Sequence, residues 1–218
     1  MYLIAISIKN VQIISFDLPF MIKILTLFSL ALAMLHMAVA PVSAHGYVSH
    51  PPSRQVRCRD DQIPGCGDVK YEPQSVEAPK GSFKCNGDGP RFRELNDEAL
   101  WENYYYSVHP GVDSLVFTWT IMPGDAQHRT ASWEYFVLTD GNPLLAWFNG
   151  FNATPPTTVE HEVPLDEHTG KQTILARWNI GDTPAAFYSC VDLLIETTDD
   201  AMAMADAAAP QQPIGGPQ

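Results

Sequence analysis

The second half of the chain repeats a two-residue alternation of apolar and polar side chains, which is the pattern of half-buried β-strands. In one such segment Ile174, Ala176 and Trp178 fall on a single face. The candidate strands are Ser114–Met122, Ser132–Thr139, Val159–Val163, Gln172–Ile180 and Phe187–Glu196. Several short strands separated by turn residues predict an all-β sandwich.

The region before these strands is irregular. Residues 45–113 are rich in proline, glycine and charge, and an irregular region of this length is usually a functional surface loop. Within it, Glu94–Tyr106 is the segment most compatible with a short helix. At the other end, residues 197–218 contain mainly Ala, Asp, Met, Pro, Gln and Gly, which predicts a disordered tail or a truncated linker.

An apolar segment lies near the start of the chain. Ile24–Ala40 follows a lysine and leads into the small residues Val42-Ser43-Ala44, a pattern typical of a secretory signal peptide. The segment is short for a membrane span and has no stop-transfer flank. We therefore interpret residues 1–44 as a signal peptide, with Met21 as a second candidate start, and residues 45–196 as the secreted domain.

Cleavage after Ala44 would make His45 the first residue of the mature protein. A free N-terminal histidine offers a metal two nitrogens, the imidazole and an α-amino group with a pKa of about 7.7–8.0. Imidazole suits copper, which stands at the top of the divalent affinity order. A second histidine would complete a three-nitrogen site. The position alone also fits a histidine that merely follows the cut.

The chain is acidic. Its formal net charge is −12, and it becomes −13 when the leader's Lys9, Lys23 and Asp17 are removed. This charge argues against nucleic acid and anionic membranes as partners of the mature form. An uncharged partner, or none, fits better, and we expect a monomer.

All four cysteines fall within the expected secreted domain, which favours two disulfides. Three connectivities are possible. We favour Cys58–Cys66, which closes a short polar loop, with Cys85–Cys190 tying an early loop to the last strand. Metal thiolates are the alternative, but the sequence has no C-x-x-C spacing.

Six short motifs occur in order along the chain. They are His45-Gly46-Tyr47-Val48, Pro51-Pro52-Ser53-Arg54, Tyr71-Glu72-Pro73-Gln74-Ser75-Val76-Glu77, Ala126-Gln127-His128-Arg129-Thr130-Ala131-Ser132-Trp133, Trp178-Asn179-Ile180-Gly181-Asp182-Thr183 and Ala186-Phe187-Tyr188. Over residues 45–196 this set resembles the bacterial-type lytic polysaccharide monooxygenases, the chitin-binding group of auxiliary activity family ten.

The resemblance implies an immunoglobulin-like or fibronectin-III-like β-sandwich, with a loop region that carries short helices. It also implies one copper ion held in a histidine brace by the amine and ring of His45 and by the ring of His128. Phe187 matches the aromatic residue beside the axial copper position, and Ala126 matches the small residue near the other axial side. Glu77 matches a carboxylate near the metal.

The same resemblance assigns Tyr71, Glu72 and Asp182 to a surface that faces the substrate. It implies oxidative cleavage of crystalline β-1,4-linked polysaccharide with an external electron donor and O2 or H2O2. The motifs favour chitin over cellulose and oxidation at C1. Ala185 stands where many chitin-active members carry asparagine, so one polar surface contact is missing.

Other functions fit parts of the sequence. The alternatives are the same chemistry on cellulose, a non-catalytic chitin-binding or adhesion protein, a copper carrier, and a hydrolase that uses Glu72 and Glu77. The last is disfavoured because a glycosidase needs its carboxylates at a defined separation across a bound sugar. The remaining histidines of the domain are interpreted as solvated side chains: His50, His109, His161 and His168.

Overall fold

The computed structural model describes residues 45–123, 128–138, 141–165 and 167–208. In this part of the chain the strands form two sheets, as the alternation predicts. The strands are β1 (Gly46–His50), β2 (Glu77–Pro79), β3 (Tyr106–Val108), β4 (Ser114–Ile121), β5 (Thr130–Val137), β6 (Leu144–Ala153), β7 (Thr158–Pro164), β8 (Gly170–Ile180) and β9 (Ala185–Ile195). The candidate strand end at Thr139 lies outside the described residues.

The smaller sheet has the order β1-β4-β7, and the larger has the order β2-β9-β8-β5-β6. Neighbours along both paths are antiparallel, while the short strand β3 adds to β9 in parallel. This arrangement is the sandwich that the sequence resemblance implies.

Strand β6 was not predicted from the sequence. Its segment contains Gly150 and two asparagines, and it lacks a clean alternation. The strand pairs with β5 through two irregularities in register, and Phe151 and Asn152 have φ angles of 52° and 53°. Such bulges break the period on which a sequence-based prediction depends.

The core between the sheets is aromatic. The rings of Trp133 and Trp178 stack with centroids 5.0 Å apart, and Trp119 lies 5.1 Å from Trp133. Two of these indole nitrogens have hydrogen-bond partners, since Trp119 donates to the Tyr135 hydroxyl at 3.1 Å and Trp178 donates to Thr130 Oγ1 at 2.9 Å. Large rings with paired polar atoms fill this space without leaving a buried donor unsatisfied.

A second core lies on the outer face of the larger sheet, beneath the loop region. Leu175 and Tyr188 point into it from β8 and β9, and Leu95 and Trp101 come from the loops. Strands β8 and β9 are therefore buried on both faces, which explains why almost every residue of β9 is inaccessible.

The loop region is ordered by short helical turns and one buried ion pair. Its helices are α1 (Arg54–Arg59) and α2 (Glu98–Trp101), with 3₁₀ turns at Gly67–Lys70, Pro73–Ser75 and Arg93–Asn96. Arg54 is fully buried, and it pairs with Asp192 of β9 through two contacts of 2.8 Å. Burial by itself would lower the pKa of this guanidinium, but the Asp192 carboxylate raises it.

The structure confirms both preferred disulfides. Cys58 is bonded to Cys66 and Cys85 to Cys190. The first bond closes the loop after α1, while the second fastens the loop region to β9.

Part of the tail, which the composition predicts to be disordered or a linker, is helical. Helix α3 spans Thr198–Ala208, although residues 209–218 lie outside the described residues. Thr197 and Asp200 bond reciprocally, side chain to main-chain N–H, at 3.2 and 3.0 Å. This is a capping-box arrangement, and it starts a segment whose alanines favour helix. No helix of the described residues is long and apolar enough to cross a membrane.

We expect the two disulfides to contribute unequally. In the loop-closure model, bonds that span 8 and 105 residues stabilise by about 2.5 and about 5 kcal/mol respectively. Replacing Cys85 and Cys190 together with alanine should therefore reduce the free energy of unfolding by about twice as much as replacing Cys58 and Cys66. Urea unfolding of both variants would measure this, and equal losses would contradict it.

His161 does not fit its interpretation as a solvated side chain. It lies on β7, where its ring stacks on Phe148 with centroids 4.2 Å apart. Its Nδ1 is 2.8 Å from the Tyr135 hydroxyl, which also accepts the Trp119 N–H at 3.1 Å. Burial lowers the pKa of His161 to about 4.

This depressed pKa predicts acid sensitivity. The unfolded chain takes up the His161 proton near pH 6.5, but the folded chain does so only near pH 4, so stability falls as the pH drops between them. The loss should be about 1–3 kcal/mol, because the ring is only half-buried. Urea unfolding at pH 7 and pH 4.5 should show a smaller loss in His161→Gln than in wild type. The control is His168→Gln, whose free energy of unfolding should fall between pH 7 and pH 4.5 by as much as that of wild type.

Candidate metal centre

The topology gathers the predicted site residues at one end of the sandwich. His45 immediately precedes β1, and its carbonyl accepts the Met122 N–H at 2.9 Å, which fixes it beside the end of β4. His128 precedes β5, whose first residue Thr130 lies opposite Ile180 at the end of β8. The two histidines therefore come from separate sheets to the same end of the molecule.

His128 is buried and held by a carboxylate. Its Nδ1 lies 2.8 Å from Oδ1 of Asp182, in the turn after β8. The backbone supports this contact, since the Gly181 N–H donates to the Arg129 carbonyl at 2.5 Å. The sequence resemblance assigns Asp182 to the substrate-facing surface, but its carboxylate also contacts the histidine directly.

Asp182 is an ionised partner at neutral pH. Burial raises the pKa of this carboxyl, but the hydrogen bond and charge of His128 outweigh it, and the pKa is lowered overall. A carboxylate at Nδ1 fixes the ring with its N–H toward Asp182, so that Nε2 is the nitrogen suited to bind a metal. Histidines that bind metals in proteins are commonly oriented by such a carboxylate.

Phe187 lies beneath the first histidine. Its side chain is fully buried, with its ring 6.3 Å from the His45 ring and 5.2 Å from Trp178. The residue therefore both packs the core and forms an apolar wall beside the candidate site. Glu77 lies opposite Phe187 in the β2–β9 ladder, and it is exposed at the same end.

Two further predicted residues flank this end. Tyr71 is 79% exposed, which is a large apolar area to leave in water. The neighbouring Glu72 accepts two hydrogen bonds from Arg91, and this pairing lowers the pKa of Glu72, with a smaller contribution from the charge of His45. Glu72 is therefore held as a carboxylate close to the first histidine.

Arg91 was not predicted as a site residue from the sequence. It lies in a loop of glycine, proline and charged residues, where no motif distinguishes it. Only the fold shows that it orients Glu72. Ala126, the predicted small residue near the metal, lies outside the described residues.

A sequence model described as "Lytic polysaccharide mono-oxygenase, cellulose-degrading" matches residues 45–193. The chain belongs to this family. Its described residues carry both histidines that the family resemblance assigns to copper, and the monooxygenase is an oxidoreductase of the copper-dependent kind.

Individual relatives agree with this assignment. The monooxygenase is 42% identical to a "Lytic chitin monooxygenase" of Streptomyces ambofaciens, over 72% of this chain and 85% of that protein. It is 32% identical to "AA10 family lytic polysaccharide monooxygenase C" of Mycosarcoma maydis, over 79% of this chain but only 59% of that protein.

A solved structure supports the fold. The neutron crystallographic structure of a Jonesia denitrificans lytic polysaccharide monooxygenase superimposes with a TM-score of 0.62 and 38% identity. The match covers 70% of this chain and all of that one. The described sandwich is therefore the fold of this family.

The contact between Asp182 and His128 generates a prediction about metal affinity. Replacing Asp182 with alanine removes the group that orients the ring, so the affinity of the monooxygenase for copper(II) should fall by about 10- to 100-fold. Isothermal titration calorimetry would measure this change. Asp113→Ala, an exposed carboxylate before β4, is the matched control. An affinity that is unchanged in Asp182→Ala would show that the carboxylate does not orient a metal ligand.

Proposed function

We propose that this monooxygenase is secreted, begins at His45 after removal of a signal peptide, and oxidatively cleaves crystalline chitin with one bound copper ion. The observation that carries the proposal is that His45 and a His128 held by Asp182 lie at the same end of the sandwich. The family supports the oxidative chemistry, while the ligand set, substrate and position of attack are our proposal.

His45 and His128 would hold the metal. Processing after Ala44 would free the α-amino group, and together with the two imidazoles it would give three nitrogen donors, a set that suits copper. When bound, copper would accept an electron from an external donor and activate O2 or H2O2 for oxidation of a sugar C–H bond beside the glycosidic link.

Other residues of the chain would define the surroundings of that reaction. Asp182 keeps the His128 ring in one orientation, and the buried Phe187 ring excludes water from one side of the His45 ring. The exposed Glu77 carboxylate, opposite Phe187, is a hydrogen-bond acceptor at the edge of the site. These groups would favour oxidation of a bound chain over reactions with bulk solvent.

Substrate would be bound on the open end of the sandwich instead of in a cleft. Tyr71 presents an exposed ring that can stack on a sugar face, because it combines apolar area with a polar tip. Glu72 is held beside it by Arg91 and can accept hydrogen bonds from sugar hydroxyls. Such a surface can meet an insoluble crystal, which a deep pocket cannot admit.

Chitin is the favoured polysaccharide, with oxidation at C1. The support is the Tyr71-Glu72-Pro73-Gln74 motif, and the Streptomyces ambofaciens relative is named a chitin monooxygenase. The description of the family model names cellulose instead, and Ala185 lacks the amide found in many chitin-active members. Cellulose is therefore the substrate to test in parallel.

The decisive experiment is a product assay. Protein with a mass-verified His45 N-terminus, loaded with one equivalent of copper, would be incubated with β-chitin and with cellulose, with and without ascorbate. We expect aldonic-acid chito-oligosaccharides in mass spectra only when ascorbate is present. His128→Ala should give no product and should lose tight copper binding, because it removes one of the three nitrogens.

The control variant is His109→Ala, which removes an exposed histidine beside Glu196, at the opposite end of β9 from Phe187. This variant should release the same products and bind copper as tightly as wild type. Products from cellulose alone would overturn the proposed substrate while keeping the chemistry. No oxidised product from a copper-loaded sample that still binds chitin would instead favour a non-catalytic binding protein.

A further inference from the structure

The edge strand β6 carries an unusual exposed apolar face. Leu144 and Trp147 are each 52% exposed, and Phe151 is 81% exposed. Leu144 and Trp147 lie opposite Phe136 and Glu134 in the ladder, which places both on the outer face of the larger sheet. Three large apolar side chains on one edge strand are a liability for a soluble protein unless they bind something.

The backbone conformation of Phe151 is energetically unfavourable. Its φ angle of 52° lies in the left-handed region, which is uncommon for a bulky residue. Its N–H donates to the Asn149 side chain at 2.8 Å, which stabilises the bulge. Since an exposed ring contributes little to the core, folding alone does not account for an aromatic residue at this strained position.

The end of β6 reaches the proposed copper site. Ala153 lies opposite Thr130, two residues after His128. A Cβ added to Gly181 would collide with the Asn152 side chain, so Asn152 packs directly on the turn that carries Asp182. Phe151 is therefore adjacent in the chain to Asn152, which contacts the turn whose Asp182 orients His128.

Among the described residues, the two most exposed aromatic side chains are Phe151, on one edge strand of the larger sheet, and Tyr71, six residues before the strand at the other end of the sheet path. Strand β2, which follows Tyr71 and Glu72, is one end of the main path of the larger sheet, and β6 is the other. Four strand spacings separate these edges, roughly 19 Å. The turn that carries Asp182 follows β8, near the middle of that span.

We propose that Phe151 is a second contact for the polysaccharide, so that a bound chain is held on both sides of the histidines. This inference rests on the proposed function and names a further part of its substrate surface. The occupant is a neutral β-1,4-linked polysaccharide. The Phe151 ring with the neighbouring amides of Asn149 and Asn152 matches sugar faces and hydroxyls, and the net charge of −12, or −13 without the leader, disfavours an anionic partner.

The test measures binding, independently of catalysis. Copper-free wild type and variants would be equilibrated with β-chitin, and the dissociation constant obtained from depletion of free protein. Phe151→Asn removes the ring but keeps a residue that tolerates the left-handed region. It should bind about 3- to 10-fold more weakly, the loss expected for one aromatic stacking contact. Phe151→Tyr should bind as wild type does.

Val116→Asn is the matched control, since Val116 is an exposed apolar residue on β4 of the other sheet. It should leave binding unchanged. Suppose that wild type releases oxidised products and that Phe151→Asn binds chitin within twofold of wild type. This result would overturn the inference about Phe151 but not the proposed function. If Phe151→Asn binds chitin more weakly but wild type releases no oxidised products, the result would support this binding surface and reject the proposed oxidative cleavage. If Phe151→Asn instead loses a self-association that wild type shows in sedimentation, while its chitin binding is unchanged, the inference would also be overturned.

Discussion

Strands β8 and β9 pair from Gly170 opposite Ile195 to Asn179 opposite Ala186, and both strands bury side chains on both faces. One face contributes Trp178 and Phe187 to the core between the sheets, and the other contributes Leu175 and Tyr188 to the core beneath the loops. A slip of one residue would exchange these two sets. The register of the hairpin is therefore specified by two cores at once.

That register decides the geometry of the candidate site. It ends the ladder just before Asp182, which brings the carboxylate to His128, and it places Phe187 beside Trp178 and beneath His45. The side chains that would act on substrate are thus supported by residues whose positions are set by close packing. A site built on rigid strands can hold its ligands more precisely than one built on free loops.

The charged residues form two groups, one that stabilises the sandwich and one at the end that carries the candidate site. Arg54–Asp192 and Arg177–Glu134 are ion pairs at the faces of the larger sheet, largely screened from water, and they hold the loop region and the strands together. Glu72 with Arg91, and Asp182 with His128, lie at the open end. There Asp182 contacts His128 and Glu72 lies near His45, an arrangement suited to binding a metal and a polar polymer.

The sequence by itself determined the features that depend on neighbouring residues. The two-residue alternation defined most of the long strands, the cysteine spacing favoured the observed disulfides, and ordered motifs identified His45 and His128 as candidate ligands. Features that need distant residues were decided only by the tertiary structure. The contact of Asp182 with His128, the role of Arg91 and the half-buried position of His161 all depend on contacts between residues that lie far apart in the sequence. Strand β6 was missed because its bulges interrupt the local period, and only its pairing with β5 makes it a strand.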